Sequence, residues 1–286
     1  MASLKEIKSR IQSIRSTQKI TSAMKVVSSA KLRKSQKTIE NFYPYQQRLD
    51  GLLNNFLSSE EDVNSAFSEI RDVKRLGIIV FSSNSSLCGG FNSNVAKLLS
   101  QTVEKYKHLG HENILVFPVG KKVAKASHKL GFEAEANYES LADKPTYEAA
   151  MNLANTLMQL FLNKDIDKVE LIYHHFKSKS SQVLTNEIFL PIQLEKKSVS
   201  STATNFIVEP SRQDILDDLL PKVLSLKIYT ALLDSNASEH AARTMAMQIA
   251  TDNADDLLQE LSLLYNKSRQ QAITNELLDI MGGSFK

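Results

Sequence analysis

The placement of glycine and proline is the feature that most limits how this chain folds. Neither residue occurs in residues 1–43, and neither occurs in the 60 residues from 222 to 281. Apart from Gly282 and Gly283, the nine glycines and six prolines fall between Pro44 and Pro221. Because both residues interrupt regular structure, this pattern predicts two long, unbroken ends around a punctuated centre.

Both ends carry apolar residues at the spacing of a helix that pairs with another helix. The N-terminal stripe comprises Leu4, Ile7, Ile11 and Ile14, then Met24, Val27 and Ala30. The C-terminal stripe comprises Leu219, Val223, Leu226, Thr230, Leu233, Ala237, Ala241, Met245, Ile249, Leu257, Leu261 and Leu264. Both stripes are narrow, which is typical of a two-helix seam. We therefore predict that the first and last helices pair as an antiparallel coiled coil.

The N-terminal helix has a recognisable start and two expected irregularities. Ser3 and Glu6 form a capping box that predicts where the helix begins. Three polar residues, Thr17, Gln18 and Thr21, interrupt the stripe, and such an interruption can set the register of the seam. Pro44 is expected to perturb the helix, after which the apolar pattern resumes at Leu49, Leu52, Leu53 and Phe56.

The centre alternates strand-like and helix-like segments. Strands are predicted at 76–81, 113–119, 169–174 and 182–190, and helices at 92–106, 121–130 and 147–162. This alternation predicts a Rossmann-like, mostly parallel α/β sheet whose last strand is antiparallel. The expected organisation is a helix at 1–57, a linker at 58–75, a central domain at 76–207 with a polar loop at 198–204, and a helix at 208–286.

The charge distribution indicates a polyanionic partner. The net charge is +3 for the whole chain but +8 for residues 1–43. Nucleic acid, anionic lipid and an acidic protein surface all fit such a helix, and so does a lysine-rich face that contacts only water. The sequence contains no run of 18 apolar residues, so it predicts no membrane span. The first ten residues lack the apolar core of a secretory signal.

No residue pattern in the chain predicts catalysis, a cofactor site or a metal site. The loop from Ser82 to Asn92 lacks both the dinucleotide and the P-loop glycine patterns, and is expected to be a tight turn. Cys88, the single cysteine, is expected to be a buried thiol. His174 and His175 are adjacent on a predicted strand and therefore point to opposite faces.

Two terminal motifs match a known family. Residues 17–27 have the sequence TQKITSAMKVV and residues 273–284 have ITNELLDIMGGS. They resemble the patterns T-Q-K-I-T-x-A-M-x-x-V and I-T-x-E-x-x-[DE]-x-x-x-G-A of the γ-subunit family of F-type ATP synthases, of bacterial type. Ser284 stands where alanine is usual. Residues 87–89 and Asn92 keep part of the family's central motif, whereas residues 83–86 (SNSS) depart from its usual T-D-R/K-G.

The resemblance implies a non-catalytic rotor shaft that couples ion-driven rotation to ATP synthesis and helps to regulate ATPase activity and proton flow. The implied partners are the α and β subunits of the F1 ring, the ε subunit and the c-ring, with no nucleic acid. The protein would be peripheral, at the cytoplasmic face of the bacterial inner membrane. By resemblance, the subunit contacts are Lys19, Met24, Lys25, Arg243, Gln270, Thr274 and Glu276.

Two alternatives remain at this point. A nucleic-acid-binding coiled coil would explain the basic helix, although no aromatic residues interleave with its cations. A Rossmann-type enzyme with helical additions would explain the centre, and it predicts a saturable small-ligand site within residues 76–200.

Overall fold

Along the chain, a long helix comes first and another comes last. Between them lies the sequence of a four-stranded sheet that has helices on both faces. The computed structural model describes residues 3–57, 65–134, 137–192 and 211–284. The elements are α1 (Leu4–Leu57), β1 (Leu76–Phe81), α2 (Phe91–Lys105), β2 (Ile114–Val119), α3 (Lys121–Lys129), α4 (Glu139–Asp143), α5 (Tyr147–Leu162), β3 (Lys168–Ser178), β4 (Ser181–Leu190) and α6 (Arg212–Ser284). The predicted fold class is confirmed. The polar loop at 198–204 and the 207/208 boundary lie outside the described residues.

The chain divides into two compact units. One consists of residues 1–29 and 243–286, and the other of residues 30–242. Helices α1 and α6 each contribute residues to both units. The units are described separately below, and the sheet lies in the second.

The sheet has the strand order β2-β1-β3-β4. β1 pairs in parallel with both β2 and β3, and β4 is antiparallel to β3, as predicted. All six residues of β1 are buried, which explains its continuous apolar sequence, LGIIVF. β3 is longer than predicted and extends to Ser178, because its last residues pair with the start of β4 in a hairpin.

Each face of the sheet is covered by helices. Side chains of α5 and α6, including Leu157 and Ile228, pack with Ile79 of β1 on one face. Val95 and Leu99 of α2 pack against the other face. Alternate residues of the fully buried β1 therefore serve two separate cores. The short helix α4, which had no sequence prediction, adds Leu141 to the α5–α6 side.

Helix α1 continues through Pro44. It is helical from Leu4 to Leu57 with Pro44 inside. Proline removes one backbone hydrogen bond, but packing beside it favours the helix. Phe42 contacts Tyr229 of α6 edge-on, with ring centroids 5.2 Å apart. Beyond Pro44, Leu53 is buried with Leu216 and Leu220 of α6, so the predicted resumption of the apolar pattern is confirmed there.

A buried polar network holds α2, β3 and β4 together. Glu170 is 3% exposed and accepts hydrogen bonds from Tyr106 at 2.6 Å, Lys168 at 2.8 Å and Asn186 at 2.9 Å. Burial by itself would raise the pKa of this carboxyl, but hydrogen bonds from Lys168, Tyr106 and Asn186 outweigh burial and lower it. Glu170 is therefore held as a carboxylate inside the domain.

Candidate protein interface on the paired helices

In the first unit, α1 and α6 bury a seam that follows heptad spacing. The least exposed residues recur at steps of three and four on each helix. On α1 they include Ile7, Ile11, Ile14, Gln18, Thr21, Lys25 and Ser28. On α6 they include Thr244, Met247, Thr251, Ala254, Leu258, Leu261 and Tyr265. The predicted coiled-coil pairing is confirmed, although many of its seam residues are polar.

The predicted stripe is wrong at several positions. Val27 is 56% exposed and Ala30 is also exposed, whereas Ser28 is buried. On α6, Met245, Ile249, Leu257 and Leu264 are exposed. The buried positions keep a strict heptad spacing whatever their polarity. The sequence prediction instead followed apolar residues, which drift off that face.

Two polar contacts fix the register of this seam. The Thr21 and Thr251 hydroxyls are 2.9 Å apart in a buried hydrogen bond. The Gln18 side-chain amide donates to the Asp255 carboxylate. Residue numbers rise on α1 as they fall on α6, so the helices are antiparallel. Of the three polar residues expected to set the register, Gln18 and Thr21 do so, whereas Thr17 is exposed. No sequence signal identified the partners of Gln18 and Thr21.

The outward surface of the same unit is unusually apolar. Leu263, Ile280 and Val26 are 72%, 69% and 63% exposed. Ten further large apolar residues are at least one-third exposed: Ile20, Val27, Met245, Ile249, Leu257, Leu264, Ile273, Leu277, Leu278 and Met281. A single exposed leucine is ordinary, but such a concentration on two helices is typical of a surface that another protein covers.

Cations line the α1 side of this unit. Lys8, Arg15 and Lys19 surround a cleft of about 650 Å³ whose lining also includes Ile11 of α1 and Tyr265 of α6. None of these three cations forms a salt bridge with a described residue. The cleft therefore combines apolar contact area with uncompensated positive charge, which suits an acidic protein surface.

All seven residues predicted to contact other subunits lie in this unit. Lys19, Gln270, Thr274 and Glu276 are exposed, and Met24 and Lys25 are half-buried. Arg243 differs, because it is only 7% exposed within the chain itself. The structure thus places six of the seven with surface available to a partner. Their contacts stay a prediction.

The loop after β1 forms a closed turn. Gly89 has a φ of 59°, a conformation that favours glycine, and Gly90 precedes the first residue of α2 with an ordinary negative φ. The Ser83 hydroxyl donates to the Asn92 side-chain carbonyl at 3.0 Å, and Cys88 is 1% exposed. The polar groups of the loop bond to one another and to α3 and α4, and the prediction of a buried thiol is confirmed.

The two adjacent histidines of the central domain, His174 and His175, make structural contacts. His174 stacks on Phe91 of α2, while His175 lies on the opposite face and bonds to Asp234 of α6. The prediction that they face apart is confirmed. Among the described residues no group of three histidine, cysteine, aspartate or glutamate side chains is arranged to hold a metal. Within those same ranges, no helix is long and apolar enough to cross a bilayer.

Comparison with known proteins gives a consistent family match. The family model described as ATP synthase matches residues 3–285. The ATP synthase gamma chain of Phocaeicola vulgatus is 59% identical over 287 residues, covering 99% of each chain. That of Bacteroides thetaiotaomicron is 54% identical over 298 residues, covering all of both chains.

Solved structures agree on the fold. A chain of the Euglena gracilis mitochondrial ATP synthase, in a structure of OSCP, F1 and c-ring, superposes with a TM-score of 0.67 at 19% identity, covering 98% of this chain and 92% of that one. A chain of the Tetrahymena thermophila mitochondrial ATP synthase central stalk and c-ring superposes with a TM-score of 0.59 at 22% identity, covering 81% and 99%. At these identities the likeness concerns the fold alone.

Proposed function

The chain belongs to the ATP synthase gamma-chain family, and on that basis we propose that it is the central rotor shaft of an F1Fo ATP synthase. It is a non-catalytic subunit that couples rotation of the membrane ring to the catalytic sites of its neighbours. The observation that carries the proposal is the outward apolar surface of residues 1–29 and 243–286. Those side chains are not used for packing within the chain, so they are available to a surrounding ring.

The shaft acts through unequal contacts. Exposed cations cluster on α1, whereas the C-terminal part of α6 carries the exposed acids Asp256, Glu260 and Glu276. An asymmetric shaft of this kind presents different surfaces to three chemically identical subunits. It therefore biases each of them towards a different nucleotide affinity, because a bias requires a difference in contact free energy.

The proposed partners follow from this arrangement. The paired ends insert among the α and β subunits, with Lys8, Arg15, Lys19 and Lys25 passing acidic loops. The central domain, residues 76–207, binds the ε subunit and the c-ring, and residues 58–75 join it to the shaft. Attachment is peripheral, through the complex, at the cytoplasmic face of the inner membrane. The c-ring, and not this chain, determines which ion drives the rotation.

The family match and the named relatives do not support the nucleic-acid-binding alternative. In the proposed role the basic surface of α1 has a protein partner, and the absence of aromatic residues between its cations no longer needs explanation. The turn after β1 needs no ligand either.

Affinity purification from native membranes tests the proposal. We expect the chain to recover α, β and ε subunits with ATPase activity. Within that complex, replacing Ile249 and Leu257 by glutamine should lower ATP synthesis without lowering the melting temperature of the isolated chain. Replacing Ile70, which is 84% exposed and lies outside both proposed contact regions, by glutamine is the matched control. Recovery of nucleic acid instead of an ATPase complex would refute the proposal.

A further inference from the structure

One short stretch of α6 is bonded to three other elements of the second unit through its own side chains. We propose that this stretch, Asp234, Asn236 and Ser238, is the clamp through which torque passes between the central domain and the shaft. The inference rests on the proposed rotor function and names residues for it. Each contact of the clamp joins two groups within residues 30–242.

Asn236 is the centre of the clamp. Its side-chain carbonyl accepts a hydrogen bond from the Ser35 hydroxyl of α1 at 2.8 Å. Its side-chain amide donates to the backbone carbonyl of Ala142 in α4 at 2.9 Å. Asn236 is 7% exposed, so both bonds lie out of water. One side chain therefore ties α6 to two neighbours on different sides.

The flanking residues bind α6 to β3. The Ser238 hydroxyl donates to the backbone carbonyl of His174 at 3.1 Å and is fully buried. The Asp234 carboxylate lies 2.5 Å from Nδ1 of His175 and is 5% exposed. Together, Asp234, Asn236 and Ser238 contact α1, α4 and β3 within five residues of sequence.

Hydrogen bonds specify the angle of a helix more narrowly than apolar burial does. The same stretch of α6 also buries Leu232, Leu233, Ala237 and Ala241. Burial of such side chains is non-directional, and the small ones offer no ridge to hold the helix at one angle. Hydrogen bonds in a low-dielectric interior require a particular distance and angle. The clamp therefore sets the angle of α6, which continues as one helix to Ser284.

Other buried polar residues of α6 provide a contrast. Ser225 is 3% exposed, nearly as buried as Ser238, but its hydroxyl donates to the carbonyl of Pro221 in its own helix at 2.8 Å. Such a bond satisfies a polar group without connecting two elements. Ser225 and Ser238 thus form a matched pair that differs in whether the hydroxyl reaches another element.

The experiment compares Asn236→Leu and Ser238→Ala with Ser225→Ala in the assembled complex. The first measurement is amide hydrogen exchange of residues 234–241. We expect it to accelerate about fivefold for Ser238→Ala and about 30-fold for Asn236→Leu, the factors for one and two hydrogen bonds of ordinary net strength. Ser225→Ala should exchange like the natural protein.

The second measurement is coupling, as the number of coupling ions pumped per ATP hydrolysed by each assembled complex. A merely structural role would reduce the amount of complex and leave this ratio unchanged, whereas loss of the clamp lowers it. If Asn236→Leu does not assemble, Ser35→Ala removes one of its bonds from the α1 side. Unchanged coupling in Ser238→Ala and Ser35→Ala would overturn the clamp alone. Failure of the natural chain to join an α, β and ε complex would overturn the rotor function instead.

Discussion

At the scale of single residues, two buried side chains of β3 have opposite electrostatic character. Glu170 is held ionised by its hydrogen bonds. His174 is held neutral, because its ring is 3% exposed, stacks on Phe91 with centroids 4.5 Å apart, and has no partner for Nδ1 among the described residues. Burial lowers the pKa of His174 from 6.5 to about 4. A buried neutral imidazole makes stability depend on pH.

The direction of that dependence follows from proton binding. Between pH 6.5 and about 4, the unfolded chain binds a proton at His174 and the folded chain does not. Stability from this group is therefore complete above pH 6.5 and is lost as the pH falls through that range, by up to about 3 kcal/mol. Chemical unfolding of the isolated chain at several pH values measures it. His174→Gln should flatten the acidic side of the profile, and the exposed His128→Gln should not. An unchanged profile for His174→Gln would contradict the assignment.

A second residue-scale prediction concerns the approach of β2 to the loop after β1. Gly120 has a φ of 105°, and a Cβ added there would overlap the carbonyl oxygen of Ser82. We expect Gly120→Ala to destabilise the chain by more than about 1 kcal/mol, because both backbone conformation and space oppose it.

Gly51 lies inside α1, and a Cβ added there would meet nothing within 4 Å. Gly51→Ala should instead stabilise by about 0.5–1 kcal/mol. Urea unfolding curves of both variants measure the difference.

At the scale of elements, periodicity predicted which segments are helices and strands better than it predicted which face of a helix is buried. The positions of β1 and α5 follow directly from their apolar runs and flanking breakers. The seam of α1 and α6 does not, because Ser28 and Thr251 are buried while Val27 and Ile249 are exposed. A sequence cannot distinguish an apolar residue that packs in its own chain from one that serves a partner. For the same reason periodicity alone did not predict the exposed apolar surface of the first unit.

Substitution of one alanine on each helix distinguishes the two versions of the seam. Ala241 of α6 is fully buried in a cluster with Leu32 and Ala237, whereas Ala30 of α1 is exposed although the sequence placed it in the stripe. Ala241→Leu should overpack that cluster and destabilise the chain by about 1–3 kcal/mol. Ala30→Leu should change stability by less than about 0.5 kcal/mol. Thermal unfolding of the isolated chain measures both, and equal effects would refute the observed seam.

At the scale of the whole molecule, stability and function draw on different residues. Buried side chains around the sheet and the seam hold the chain together, while the apolar surface of the first unit contributes little to its own folding. Exposed apolar residues carry a risk of aggregation in an isolated protein. A chain that works inside a ring has that surface covered by the surrounding subunits. The same residues then transmit rotation to those subunits by direct contact.

Deletion of residues 274–286 separates these two contributions. Leu277, Leu278, Ile280 and Met281 are each more than half exposed, so the isolated chain should unfold at nearly the same temperature without them. In the complex we expect weaker assembly or lower ATP synthesis, since loss of about 1.4 kcal/mol of contact already weakens binding tenfold. Leu277→Gln with Leu278→Gln keeps the full length and should reproduce part of the loss. Torque, synthesis and assembly all equal to those of the natural chain would show that this end makes no contact that matters.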